Sequence, residues 1–414
     1  MIYMTPPYIF IKGHSDILQL IHRQKFPVFS LIIKINIFIF VFAWYNSCIR
    51  NERRDIMSSQ LIQMASRLAN APGACGFEDE VVAVAREYAQ SLGEIQEDFL
   101  RNLYIYRKEN KGGRPVIMLD AHTDEVGFII HSIKPNGTLR FLPLGSWNKG
   151  SVSGIKVRVR NALGQYIPGL VASKPVHFQS AAEKAVGQTE LEDMVIDVGA
   201  TSAQDAIENF HIRIGEPVVP IMTCEYDEAH DILFGRAFDD RVGCAVLLET
   251  LRRLEGVELP CDVVGVLSTQ EEMGLRSAKV TTARVSPDLA IAIEGCPADD
   301  TFTEPYAIQT ALKKGPMFRH MDRSLICNPR FQRYVLNLAQ EKGIPVQESV
   351  RKGGGNNAAA FQTEGLGCPA VVAGVPVRYV HAPNSMSAGC DLENTVRILI
   401  EILTNMTPEI IAGF

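Results

Sequence analysis

The fold is decided by residues 261–294, which read CDVVGVLSTQEEMGLRSAKVTTARVSPDLAIAIE. This stretch begins and ends with short, nearly continuous apolar runs, CDVVGVLST at 261–269 and DLAIAIE at 288–294. Such runs are typical of strands that are buried on both faces, as in the parallel sheets of α/β proteins. We therefore predict a buried strand at each end of the stretch.

Apolar runs and helical periodicity alternate along much of the remaining chain. Two more strands are predicted at 116–122 and 369–374, and three helices at 241–254, 329–343 and 391–406, the last with Asp391 as its N-cap. Because helices that alternate with apolar strands pack on the two faces of one sheet, this order predicts an α/β fold.

Between residues 126 and 220 the sequence pattern differs from the α/β pattern on either side. Short alternating strands such as GTLRFLPLG and FHIRIGEPVVP are separated there by Gly, Pro and Asn, which is typical of a small β-barrel or sandwich. The α/β pattern resumes afterwards. We therefore predict one α/β domain formed by 57–125 and 221–414, with a small β domain inserted at 126–220.

The first 56 residues do not match the rest of the chain. Residues 26–45 read FPVFSLIIKINIFIFVFAWY, close to the roughly 20 apolar residues of a membrane helix. Lys34 interrupts this run, and a charge near its middle would cost about 2.5–3.5 kcal/mol on insertion. An over-extended gene start, a membrane anchor and a flexible leader all remain open. We favour the gene start, because a soluble amphipathic pattern begins at Met57.

Composition excludes several classes of function. The 414 residues include 41 Lys and Arg against 47 Asp and Glu, which gives a net charge of −6. Nucleic acids and anionic membranes attract clustered positive charge, so this balance argues against a general affinity for either. The 9 cysteines are widely spread and form no CxxC motif, so neither a disulfide framework nor a thiolate zinc site is indicated. Reduced thiols favour a cytoplasmic location.

Five polar islands follow the apolar strands and helices of the α/β pattern. They are His122-Thr123-Asp124, Asp239-Asp240, Glu271-Glu272, Glu294 and His381. Each alone is explained by a turn, a solvated loop or a salt bridge, but open sheets place their sites at strand ends, where five such islands favour a common site. Imidazole and carboxylate ligands suit Zn²⁺, Co²⁺ or Mn²⁺. Two such ions need a bridging carboxylate, and a second carboxylate can serve as base.

From Met57 to its C-terminus the chain resembles the dinuclear metallo-aminopeptidases that assemble tetrahedral particles. Relatives are named glutamyl aminopeptidase, deblocking aminopeptidase or endoglucanase. The resemblance is carried, in this order, by HTDEVGFI, GRAFDDRVG, STQEEMGLRSA, AIAIEG, KGGGNNAAAFQ and YVHAPNSM. It implies a mixed sheet between helices, as in zinc exopeptidases, with an inserted PDZ-like β-barrel used for assembly.

The resemblance also implies roles for individual residues. His122, Asp239 and Glu294 would hold one metal, and Asp239, Glu272 and His381 the other, with Asp239 as the bridge. Glu271 would be the general base, and Asp124 would orient His122. The implied protein is a cytoplasmic aminopeptidase that removes N-terminal residues from peptides and forms a homo-oligomer of twelve subunits.

Two positions depart from the family pattern. Glu294 stands where relatives usually have Asp, and the glycine-rich stretch reads GGGNNA rather than GGGTDA. Because position 357 holds Asn where relatives have Asp, the local polar network is in doubt, though the metal ligands are not. For Arg319 and Asp322 a substrate-pocket role and a surface salt bridge remain equal alternatives.

Two other functions compete with the aminopeptidase. A glycosidase would need two carboxylates that flank the scissile bond and no metal, so the histidines among the acidic islands argue against it. An assembly or regulatory protein on the same fold would need no intact ligand set. Loss of activity with a chelator would distinguish the aminopeptidase from the glycosidase. The metal content of the purified protein would distinguish the aminopeptidase from an assembly or regulatory protein.

Overall fold

The computed structural model describes residues 59–181, 184 and 190–414. The predictions for the first 56 residues, including the apolar run at 26–45, therefore lie outside the described part of the chain. Among the residues that are described, we find no helix with the length and apolar character that crossing a membrane requires.

The described chain contains strands and helices in alternation. The strands are β1 (Gly93–Glu97), β2 (Leu103–Arg107), β3 (Val116–His122), β4 (Gly127–Ile133), β5 (Leu139–Leu144), β6 (Lys156–Arg160), β7 (Tyr166–Ala172), β8 (Val195–Asp197), β9 (Pro217–Pro220), β10 (Glu225–Asp227), β11 (Ile232–Gly235), β12 (Asp262–Ser268), β13 (Leu289–Pro297), β14 (Met317–Met321), β15 (Gln347–Val350), β16 (Ala370–Val377) and β17 (Ser385–Ser387). The helices are α1 (59–70), α2 (Asp79–Ala89), α3 (Ala203–Glu208), α4 (Phe238–Arg253), α5 (Ala278–Val285), α6 (Pro329–Lys342), α7 (Ala358–Thr363), α8 (Gly389–Asn405) and α9 (Pro408–Ala412).

The central layer is an eight-stranded mixed sheet with the order β1-β2-β12-β3-β13-β16-β14-β15. Strands β12, β3, β13 and β16 are parallel, whereas β1, β2 and β14 introduce antiparallel pairs. This sheet and the helices on both of its faces confirm the predicted α/β fold class.

Strand β13 shows why the run at 288–294 is almost entirely apolar. Leu289, Ile291 and Ile293 point into one hydrophobic cluster, and Ala290 and Ala292 point into the cluster on the opposite face. Because successive side chains of a strand alternate between faces, a strand covered on both sides needs an uninterrupted apolar run.

The inserted segment forms a closed antiparallel barrel with the order β4-β5-β8-β7-β6-β9. Its interior contains Phe128, Val157, Val159 and Ile196, all fully buried. The indole ring of Trp147 stacks on Phe128 with 4.6 Å between ring centroids. The small barrel that the fold class included is confirmed.

One local prediction is wrong. Asp391 does not cap helix α8, because the helix begins at Gly389 after the N-cap residue Ala388. The Asp391 carboxylate instead accepts backbone N–H groups from Lys313 at 2.6 Å and Gly315 at 2.8 Å. A tertiary contact to a distant loop has replaced the local cap, and it ties that loop to the start of the helix.

Candidate active site

The parallel strands end at one edge of the sheet, and the polar islands lie there. His122 is the last residue of β3, Glu294 lies near the end of β13, and His381 follows β16. Glu271 and Glu272 lie three and four residues after the end of β12. Side chains far apart in sequence meet because the carboxyl ends of parallel strands share this edge.

The structure brings the five predicted metal ligands together in two overlapping groups. His122, Asp239 and Glu294 form one, and Asp239, Glu272 and His381 form the other, with the ligand atoms of each group within 4.8 Å of one another. The Nε2 atom of His122 lies 3.1 Å from Oδ1 of Asp239 and 3.8 Å from Oε2 of Glu294.

Asp239 belongs to both groups. While its Oδ1 atom faces His122, its Oδ2 atom lies 3.5 Å from Nε2 of His381, which is also 3.2 Å from Oε2 of Glu272. Each carboxylate oxygen therefore faces a different imidazole, the geometry that a carboxylate shared by two cations needs. The backbone of Asp239 is non-helical at the start of α4, with φ −87° and ψ 102°.

Asp124 contacts both His122 and the turn that carries Glu271 and Glu272. Its Oδ1 atom lies 3.3 Å from Nδ1 of His122, as the predicted orienting role requires. Its two oxygens also accept the backbone N–H groups of Glu271 and Glu272, each at 3.0 Å. Asp124 thus fixes the turn that carries the two glutamates, a second role that the sequence did not indicate.

The site has an excess of negative charge. Burial raises the pKa of Glu271 and of Glu294 well above its ordinary value, and neighbouring carboxylates raise both further. Burial lowers the pKa of His381, but its contacts with Asp239 and Glu272 outweigh this and raise the pKa to about 11. These buried groups therefore favour the binding of positive charge.

The donor set fits divalent cations of the borderline kind. Imidazole and carboxylate groups converge, and Oε1 of Glu272 is buried with no hydrogen-bond partner in the described chain. A buried carboxylate oxygen without a donor is costly, and coordination would satisfy it. Glu271 also lies within 4.8 Å of His122 and Glu272, so distances alone do not separate the base from the ligands.

Sequence reasoning missed the ion cluster behind the site. The Glu125 carboxylate lies between the guanidinium groups of Arg236 and Arg241, and all three side chains are 3% exposed or less. Both arginines also donate to the carbonyl oxygen of Ala71. Their presence in the motif GRAFDDRVG was the available signal, but nothing in the sequence pointed to Glu125 as their partner.

A second missed residue, Glu78, supports the glutamate turn. Its buried Oε1 atom accepts the backbone N–H groups of Gly76 at 2.7 Å and Gln270 at 3.2 Å. Gln270 has a φ of 55° and directly precedes Glu271. Burial and the nearby Asp124 raise the pKa of Glu78 to about 8. Glu78 therefore stabilises a strained residue beside the predicted base.

Asn357, which stands in the glycine-rich stretch where relatives have Asp, takes part in a buried hydrogen-bond network. Nδ2 of Asn357 donates to Oδ1 of Asp120 at 2.8 Å, and Oγ of Ser268 lies 3.0 Å from the same amide nitrogen. Asn357 and Asp120 are 0% and 1% exposed. An amide at position 357 therefore stabilises a buried carboxylate that a second carboxylate would repel.

Replacing Asn357 by Asp is expected to destabilise the protein by about 1–3 kcal/mol near pH 8, because Asp120 loses its donor. Burial already raises the pKa of Asp120 to about 6, although Asn357 and Ser268 oppose this. A raised folded-state pKa means that stability falls as pH rises, so the deficit of the variant should shrink toward pH 5. Thermal midpoints at both pH values measure this.

The exposed Asn136→Asp variant is the matched control for this charge change. Its midpoint should follow that of the wild type at both pH values, because water solvates the new carboxylate. A deficit of Asn357→Asp that is equal at pH 5 and pH 8 would contradict the proposed contact between two carboxyl groups.

The Arg319–Asp322 pair is buried, so its interpretation as a surface salt bridge is wrong. Nη1 of Arg319 lies 2.9 Å from Oδ2 of Asp322, and their side chains are 6% and 0% exposed. Nη2 of Arg319 also donates to Sγ of Cys296, two residues after the predicted ligand Glu294. The pair therefore packs behind β13, the strand that carries the predicted ligand Glu294.

The chain is similar to known aminopeptidases over most of its length. The family model of the M42 glutamyl aminopeptidases matches residues 102–398. The glutamyl aminopeptidase of Lactococcus lactis subsp. cremoris is 30% identical over 354 residues, which cover 85% of this chain and 98% of the relative.

Solved structures show the same architecture. The TET aminopeptidase of the marine sediment archaeon Thaumarchaeota archaeon SCGC AB-539-E09 superposes with a TM-score of 0.82 at 36% identity, covering 86% of this chain and 99% of that one. The Pyrococcus horikoshii TET1 peptidase, which assembles into a tetrahedron or a large octahedral shell, has a TM-score of 0.75 at 27% identity, covering 84% of this chain and 100% of that one.

Proposed function

We propose, since the chain belongs to the M42 glutamyl aminopeptidase family and is a metal-dependent aminopeptidase, that it cleaves N-terminal residues from peptides with two divalent metal ions and Glu271 as general base. The observation that carries the two-metal proposal is Asp239, whose two carboxylate oxygens face different histidines.

His122, Asp239 and Glu294 would hold one cation, and Asp239, Glu272 and His381 the other. Bound there, such ions would polarise the scissile carbonyl and lower the pKa of the attacking water molecule. Asp124 keeps Nδ1 of His122 engaged, so that Nε2 is presented to the site. Glu294 in place of the usual Asp reaches one methylene further toward His122.

Glu271 is placed to move protons. No group in the described chain donates a hydrogen bond to its carboxylate, whereas Oε2 of Glu272 is engaged by His381 at 3.2 Å. The Glu271 carboxylate can therefore take a proton from the attacking water and later deliver it to the leaving amine.

Removing metal is expected to abolish peptidase activity. After EDTA treatment and gel filtration, release of nitroaniline from aminoacyl-nitroanilides should cease, and Co²⁺ or Zn²⁺ should restore it, with Mn²⁺ tested alongside. A glycosidase would keep its activity after chelation, because its two carboxylates need no ion. Purified protein that contains no divalent metal and cleaves no peptide would instead favour the assembly protein.

We further propose a homo-oligomer of twelve subunits with contacts supplied by the segment 126–220. The support is the similarity to TET1 peptidase structures, of which one is a dodecamer and another belongs to a peptidase that can assemble into a tetrahedron or a large octahedral shell. Light scattering of the purified protein at micromolar concentration should give a mass close to twelve times that of the chain. A monomer under these conditions would refute the proposal.

An enclosed particle would restrict the substrates to unfolded peptides, which suits the removal of peptides after proteolysis. We place this activity in the cytoplasm, in keeping with the cysteines, because the eight in the described part of the chain are all free thiols.

A further inference from the structure

A cavity lies at the junction of the β-barrel and helix α1, away from the candidate active site. It has a volume of about 500 Å³, and none of its lining residues is a predicted metal ligand. Its polar lining comes from Asn70 at the end of α1, Arg158 on β6 and Thr223 after β9. We call it the junction cavity. Its volume is in the range of small-molecule sites.

Arg158 brings to this cavity a positive charge that no carboxylate of the described chain contacts. Its Nη2 atom donates to the carbonyl oxygen of Asn70 at 3.3 Å, and its buried Nε atom has no hydrogen-bond partner. Within the described residues no carboxylate oxygen lies within 4.0 Å of the guanidinium group. The ring of Tyr166 also lies nearby, with 5.8 Å from the guanidinium carbon to the ring centroid.

Arg158 is attracted by nearby carboxylates that do not contact it. Glu125 pairs with Arg236, and Glu80 accepts the hydroxyl of Tyr166 at 2.8 Å while its buried Oε2 atom has no hydrogen-bond partner in the described chain. Burial and the proximity of Arg236 lower the pKa of Arg158, although Glu125, Tyr166 and Glu80 oppose this. The guanidinium group therefore has no carboxylate of the described residues in direct contact, a place that an anion in the junction cavity would take.

Two further donors face no acceptor in the described chain. The side-chain oxygen of Asn70 accepts the backbone N–H of Cys224 at 2.7 Å, which fixes the amide and leaves its NH₂ group free to donate. The Thr223 hydroxyl likewise has no partner among the described residues. Donors without acceptors around an arginine match the lone pairs of a carboxylate.

The remaining walls of the junction cavity are apolar and come from Pro168, Ile221 and Met222. The cavity is larger than a bare inorganic anion needs. We propose that the junction cavity binds a small organic carboxylate whose apolar group is the size of an amino-acid side chain. The carboxylate would lie against Arg158, and the apolar group against Ile221 and Met222. Such a ligand could be a free acid or the C-terminus of a short peptide.

Isothermal titration calorimetry of the assembled, metal-loaded protein tests the proposal, with 4-methylpentanoate as the probe. Wild type should bind the acid, and the neutral 4-methylpentanamide should bind at least tenfold more weakly. N-acetylglycylleucine is titrated in parallel, and the tighter of the two carboxylates identifies free acid or peptide C-terminus as the source. Arg158→Gln should weaken the carboxylate by about ten- to a hundredfold, as for a lost hydrogen bond to a charged group.

The matched control is Arg213→Gln, which removes an exposed arginine from the same barrel and should leave the affinity unchanged. This comparison also separates the junction cavity from the metal centre, because a carboxylate bound to the metals would be insensitive to Arg158. Should Arg158→Gln fail to fold, Thr223→Val at the exposed rim provides the second variant, with a smaller loss. Equal affinity of wild type and both variants, or equal binding of the amide, would overturn the proposal.

Discussion

Glu271→Gln is expected to lower kcat by about 10²–10⁴-fold, the usual contribution of a general acid–base group. The amide cannot accept the proton of the attacking water, but it has nearly the same size and shape. Because Asp124 holds the backbone of Glu271 rather than its side chain, the turn should remain in place. Both metals and the substrate KM should therefore be nearly unchanged.

Glu272→Gln is the matched comparison, since it makes the same chemical change one residue away. Its carboxylate contacts His381, and Oε1 is otherwise without a partner, so the variant should lose occupancy of one metal site. Raising the metal concentration should restore part of its activity. Metal content by mass spectrometry, measured alongside kcat, decides the matter: loss of metal from Glu271→Gln with two metals retained in Glu272→Gln would reverse the two roles.

The strands and the polar islands were predictable because each has a local cause. A strand covered on both faces must be apolar throughout, so 116–122 reads directly as β3 (Val116–His122). Each polar island alone has a structural explanation, but five of them at strand ends of one sheet favour a common site. The family motifs then assigned them to two overlapping groups, which the structure places within 4.8 Å.

Contacts between distant residues were not predictable. Glu125 and Arg236 are 111 positions apart, and Asn357 and Asp120 are 237 apart, so no local pattern connects them. The failed cap at Asp391 has the same cause, since a loop at 313–315 provides better donors than the helix start. These residues support the site from behind, where side-chain chemistry depends on packing rather than on sequence spacing.

The second large effect is expected at Glu125. Its carboxylate is the shared partner of two arginines that are at most 1% exposed, so Glu125→Gln would leave two buried guanidinium groups without a counter-charge. Breaking a buried ion pair by removing one partner costs about 3–5 kcal/mol. Glu125 also follows Asp124 directly, and the loss of its anchor should misplace His122 and reduce kcat.

Denaturant midpoints at a fixed protein concentration measure this effect, because the stability of an oligomer depends on concentration. Glu258→Gln is the control: it removes the partner of Lys111 at an exposed pair with 2.7 Å between nitrogen and oxygen, and its midpoint should not move. Combining Glu125→Gln with Arg236→Met should cost less than the sum of the two single changes, because the double variant no longer contains the unpaired Arg236. Strict additivity would show that the two side chains act independently. An unchanged midpoint in Glu125→Gln would show that the Glu125 ion cluster does not stabilise the fold behind the predicted metal ligands.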